Sequence, residues 1–147
     1  SKLLNLFEPR DVYFGEKDFQ QVLIIKKLII IEKLKVNLKI CPTVRERNGL
    51  ALSSRNMLLS AHEKKMASII YESLIFIKTN FRKKTQHHLI KKVKNSIEKI
   101  KNFKVQYLEI CDNESLYHYD YKNDNICRAF ICVEVNDVRL IDNILLN

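Results

Sequence analysis

One segment near the start constrains the fold more than any other. A short β-prone run, DVYF, is broken by Gly15, and the pattern then turns helical. From Asp18 to Lys35 the residues Phe19, Val22, Leu23, Ile25, Leu28 and Ile29 recur at helical spacing, with Lys26, Lys27 and Lys33 on the other side. VNLKI, residues 36–40, then alternates apolar and polar as a strand does. Strand, helix and strand in this order make one βαβ unit, with parallel strands and a right-handed crossover. Two strands do not complete a doubly wound sheet, and the SKLLNLF before them reads as the middle of a helix. The expected arrangement is therefore the last piece of a larger α/β domain.

The chain then changes character. CPTVRERNGLALSSRN carries the second proline and the second glycine with little periodicity, which predicts a long loop and a hinge. Ser60 and Glu63 form an S-x-x-E capping box that opens a helix through about Lys78. A second, strongly basic helix is predicted over Thr85–Lys101. Three strand candidates close the sequence: KVQYLEIC, ICRAFICVEV and VRLIDNI. Helices followed by neighbouring strands predict a small α+β domain with helices on a mainly antiparallel sheet. The expected division is residues 1–43 in the α/β part and residues 44–147 in the α+β part.

Composition narrows the function classes. Lys and Arg number 26 against 17 acids, a formal net charge of +9, and such a field attracts polyanions. Phosphate-bearing small molecules, nucleic acid and anionic membrane all satisfy that. A non-catalytic basic nucleic-acid-binding module is the alternative reading, resting on KKVKNSIEKIKN. Against it, no aromatic residues interleave with the lysines there, and Ile90, Val93, Ile97 and Ile100 give that helix the pattern of a packed amphipathic one. Lys26 and Lys27 interrupt the longest apolar run, and SKLLNLFEPRD lacks the apolar core of a secretory signal, so a cytoplasmic protein is expected. Cysteines at 41, 111, 127 and 132 have no regular ligand spacing, which argues for buried, reduced thiols and against zinc; no metal ligands are assigned.

Two short stretches carry candidate chemistry. In GEKD, a glycine after a parallel strand lets backbone approach a ligand, and the following helix offers its positive end. Lys17 is a candidate phosphate ligand there. Asp18 is a candidate helix cap or partner of a metal-bound phosphate, and Gln21 lies on the same helical face. A surface turn with a charge pair and an N-cap uses the same residues equally well. In LALSSRN, two serine hydroxyls beside Arg55 form a candidate phosphate clamp, although Arg55 paired with an acid would look the same.

The combination is more specific than either part. YFGEKDFQQ after Pro9, then CPTVRERNGLALSSRN, then RLIDN near the end, in that order, resemble the pantoate–β-alanine ligase family, over residues 3–145. That resemblance implies a Rossmann-like nucleotidyltransferase domain followed by a C-terminal lid domain, in a cytoplasmic homodimer. It implies ATP as substrate with Mg²⁺, and condensation of (R)-pantoate with β-alanine through a pantoyl adenylate, releasing pyrophosphate and then AMP. By the same resemblance Gly15, Glu16, Lys17 and Asp18 form the ATP-binding turn, Gln21 holds pantoate, and the backbone of Val44 meets adenine. Leu52, Ser53, Ser54 and Arg55 correspond to a mobile phosphate-binding loop. Lys17 and Arg55 would neutralise charge developing as one anion attacks another.

Departures from the family pattern are informative. The H-x-G-H signature and a second glutamine, both in the family's earlier half, have no counterpart, and His62, His87, His88 and His118 do not replace them. His87 and His88 are expected to face solvent. The chain is thus expected to be a C-terminal portion with little ligase activity alone. Ile40 stands where a glycine often precedes CPT, beside the site but without removing a functional group.

Overall fold

The computed structural model describes residues 2–118 and 126–146, and the chain divides into two compact units, residues 1–43 and 44–147. The first unit contains α1 (Lys2–Phe7), β1 (Asp11–Gly15), α2 (Phe19–Ile31) and β2 (Asn37–Cys41). β1 and β2 pair in parallel with Asp11 opposite Asn37 and Gly15 opposite Cys41, joined through α2. The periodicity predicted this βαβ unit. A positive-φ residue, Lys33, follows α2, and the amide of Leu34 bonds back to the Ile29 carbonyl to close the last turn. Of the apolar side chains in this unit, Phe19 and Val22 are buried, whereas Leu6, Phe7, Tyr13, Ile24, Ile30 and Ile31 are exposed. Parallel sheets need cover on both faces, and a single helix covers one.

Gly15 departs from the sequence reading. It does not break β1 but is its last paired residue, with φ −72° and ψ 132°, a conformation open to any amino acid. A Cβ placed on it meets no atom within 4 Å. What the glycine leaves is open space at the carboxyl end of a parallel strand.

The second unit packs α3 (Ala61–Met66), α4 (Ser68–Asn80) and α5 (Gln86–Ile97) with an antiparallel sheet of β3 (Phe103–Asp112), β4 (Cys127–Val135) and β5 (Val138–Leu145), in the order β3-β4-β5. Alternate β4 residues, Cys127, Ala129, Ile131, Val133 and Val135, are wholly buried, as the period of two requires. Ile70, Leu74 and Ile77 of α4 and Leu89, Val93 and Ile97 of α5 belong to the same core. Ile90 and Ile100 flank it, so the apolar stripe of the basic helix is used in packing, and its lysines lie on the outer side. His87 and His88 are exposed at its start, as expected.

The capping box is present: the Glu63 amide donates to the Ser60 hydroxyl, and the Ser60 amide donates to the Glu63 carboxylate at 2.8 Å. The helix it opens is not continuous to Lys78. It breaks at the fully buried Ala67, where the Ile70 amide bonds to the Ala67 carbonyl, a tighter i→i+3 turn, at 3.1 Å. No disulfide joins the four cysteines. Burial pushes the Cys111 and Cys127 thiols up to about 11, with Glu109 and Asp112 adding to the effect at Cys111, so both are inert packing groups. No described helix is long and apolar enough to cross a membrane.

The predicted long loop is ordered as a small hairpin. Arg45 and Ala51 form an antiparallel bridge, the Glu46 amide bonds to the Leu50 carbonyl at 2.8 Å, and the Leu52 amide bonds to Val44 at 2.8 Å. Gly49 sits at the turn with φ 90°, where a Cβ would lie 2.6 Å from the Tyr71 ring, so this glycine is required for both conformation and space.

Candidate functional site

The first candidate cluster grows from the carboxyl end of β1. Glu16, Lys17 and Asp18 form a single 3-10 turn that connects the strand to α2. Asp18 occupies the N-cap position, but its side chain makes no capping hydrogen bond, and no acid stands in the first turn of α2. The start of α2 therefore lies beside the Asp18 carboxylate, which itself interacts favourably with the positive end of the helix. Gly15, Asp18 and Gln21 are exposed; Glu16 and Lys17 are partly buried. The arrangement brings Gly15, Glu16, Lys17, Asp18 and Gln21 into one continuous strand-to-helix corner.

The second cluster lies on the hairpin and the turn that follows it. The Leu52 amide bond to Val44 brings these two predicted residues side by side. Ser53 caps the 3-10 turn Ser54–Leu58, its hydroxyl accepting from the Arg55 amide at 3.3 Å. Ser54 and Arg55 are exposed, and Arg55 makes no ion pair among the described residues. Two hydroxyls beside an exposed guanidinium are the groups that a phosphate clamp would need.

The residues that hold this clamp were not legible as such. Arg45 donates to Asp142 through both guanidinium nitrogens, at 2.6 and 3.0 Å, to the Gly49 carbonyl at 3.1 Å, and lies 3.8 Å from the centre of the Tyr71 ring. Asp142 is 4% exposed and belongs to RLIDN; its register partner is the core residue Ile131. The sheet therefore carries a carboxylate on its helix-covered face, and that carboxylate fixes the hairpin from 97 positions away in the chain. Glu46 accepts from Asn56 at 2.8 Å and pairs with Lys64 at 3.0 Å. The Asn56 amide, together with the Lys64 ammonium, holds the Glu46 carboxyl below its ordinary range despite partial burial. A hairpin signal did exist, the Asn48–Gly49 dipeptide followed by the apolar run Leu50–Leu52.

The first cluster stands on the parallel βαβ unit and the second on the unit with the antiparallel sheet. Residues 1–145 match the family model described as Pantoate-beta-alanine ligase. The chain belongs to the pantoate–β-alanine ligase family. It is 44% identical to the pantothenate synthetase of Flavobacterium psychrophilum, an alignment that covers 99% of this chain and 52% of the relative. It is also 40% identical to the bifunctional pantoate ligase/cytidylate kinase of Trichodesmium erythraeum, covering 99% of this chain and 28% of that protein. Among solved structures, pantothenate synthetase from Thermus thermophilus superposes with a TM-score of 0.88 at 31% identity, covering 99% of this chain and 52% of that one. A pantoate-β-alanine ligase from Francisella tularensis, solved with β-γ ATP and β-alanine, matches at TM-score 0.67 and 31% identity, with 99% and 47% covered. The chain spans about half the length of the pantothenate synthetases it matches.

Proposed function

We propose that this chain is the nucleotide-clamping part of an ATP-dependent ligase that condenses (R)-pantoate with β-alanine through a pantoyl adenylate, releasing pyrophosphate and then AMP. The observation that carries the proposal is the family match over residues 1–145, which takes in both candidate motifs, GEKD and LALSSRN. Residues 1–43 would form part of a Rossmann-like ATP- and pantoate-binding domain, and residues 44–147 a lid domain. The active assembly would be a cytoplasmic homodimer.

In this reading Gly15 gives phosphate close access to backbone, while Glu16, Lys17 and Asp18 line the turn. Gln21 orients pantoate, Val44 presents backbone to adenine, and Leu52, Ser53, Ser54 and Arg55 hold the phosphate chain. When the pantoate carboxylate attacks the α-phosphorus, two anions approach, and negative charge builds on the phosphoryl oxygens. Lys17 and Arg55 offset that charge, and donors held in place beforehand need no reorganisation in the transition state. Mg²⁺ prefers one or two carboxylates plus substrate phosphates, and the exposed, non-capping carboxylate of Asp18 suits that role. Bound there, the ion would supply further neutralisation of phosphate charge.

The test joins residues 1–147 to the part of the Flavobacterium psychrophilum relative that they do not match. The chimaera is expected to release pyrophosphate only when ATP and pantoate are both present, and residues 1–147 alone to release little. A folded chimaera with no pantoate-dependent release would overturn the enzyme assignment.

A further inference from the structure

We infer that Asn56 is a positioning residue for ATP, because its side-chain amide ties together the two ends of the Leu52–Arg55 segment. The inference rests on the proposed phosphate-binding role of that segment and names what holds it in shape. Asn56 immediately follows Arg55 and is 3% exposed. Its Nδ2 donates to the Ala51 carbonyl at 3.1 Å and to Glu46 Oε1 at 2.8 Å. Ala51 immediately precedes Leu52 and is itself fixed by its bridge to Arg45. The four residues between Ala51 and Asn56 are therefore closed into a loop by a side chain, and the backbone N–H of Asn56 adds a 3.0 Å bond to the Ser53 carbonyl.

Glu46 is held in turn. Its amide bonds to Leu50 across the hairpin, and its carboxylate meets Lys64 of α3, whose carbonyl accepts from Asn48 Nδ2 at 3.1 Å. Asn56 thus refers the clamp to both the hairpin and the helix after it. The two donor bonds fix the orientation of the amide and leave Oδ1 buried without a partner among the described residues. Ser54 and Arg55 stay exposed on a segment whose two ends cannot separate, and preorganisation of that kind reduces the ordering cost of binding.

The test measures ATP affinity and Tm of the chain in wild type, Asn56→Ala, Glu46→Ala and Glu46→Gln. Asn56→Ala is expected to weaken ATP binding roughly tenfold and Glu46→Ala by about threefold or more, through lost preorganisation. Glu46→Gln keeps an oxygen acceptor for Asn56 and is expected to retain most of the affinity. In the chimaera, Asn56→Ala is expected to raise KM for ATP and leave KM for pantoate unchanged, a split that lowered stability does not produce. If Asn56→Ala does not fold, folded Glu46→Ala decides the matter by its ATP affinity. Wild-type affinity in the folded variant overturns the positioning role. Failure of the unsubstituted chain to bind ATP overturns instead the reading of the clamp, which is a different result.

Discussion

Asp142→Ala is expected to destabilise the second unit by about 3–5 kcal/mol, the range for removing one partner of a buried ion pair. The reason is the charge left behind. The Asp142 side chain is 2% exposed and that of Arg45 19%, and the pair is bidentate. Without the carboxylate, a guanidinium stays largely enclosed by the Tyr71 ring and the Gly49 carbonyl, neither of which balances its charge. The Asn143 amide also loses its 2.8 Å acceptor on Asp142. Urea unfolding followed through the β4 and β5 amide signals measures the loss. Replacing both partners by apolar residues, Arg45→Met with Asp142→Leu, is expected to recover most of the stability, because no charge remains buried. A loss below about 1 kcal/mol in the single variant would mean that solvent already screens the pair.

Lys17→Ala in the chimaera is expected to lower kcat by roughly 10²–10³, about 2.7–4 kcal/mol, the measured scale for losing one preorganised donor to a developing anion. Arg55→Ala is expected to fall in the same range. Arg55 is exposed, so its replacement should alter folding by no more than a few tenths of a kcal/mol. That separation is the diagnostic: a large kinetic loss with an unchanged unfolding transition. Steady-state pyrophosphate release over a range of ATP and pantoate concentrations measures it. Turnover within about threefold of the parent would remove Lys17 from the role given to it.

The βαβ unit was legible because its signals are local. A run of period two, a helical period and another run of period two need no distant partner, and β1, α2 and β2 appear in the predicted order, with α2 ending at Ile31 rather than Lys35. The Ser60–Glu63 box marked its helix start for the same reason. The boundary at Ala67 was invisible, since a buried alanine favours helix continuation and only packing breaks it there. The hairpin of residues 44–52 passed for an irregular loop because its pairing is short and its stability comes from Asp142 and Tyr71, which no local pattern reveals. The candidate clamp residues were found through their order along the chain. Their supports, Arg45, Glu46, Asn56 and Asp142, emerged only from atomic contacts, because polar residues in a loop look alike until their partners are known. Gly15, read as letting a ligand approach the backbone, does leave open space there, but it ends β1 rather than breaking it.

In the proposed function Gly15–Asp18 and Leu52–Arg55 hold the phosphates of ATP. Amide chemical shifts of the chain, followed during titration with ATP at fixed ionic strength, test it most directly. Saturable shifts are expected at Gly15, Glu16, Lys17, Asp18, Ser53, Ser54 and Arg55, and weaker ones with AMP. Shifts confined to the lysines of α5, reproduced by random-sequence DNA and abolished by salt, with none at either clamp segment, would contradict the claim and favour a nucleic-acid-binding module.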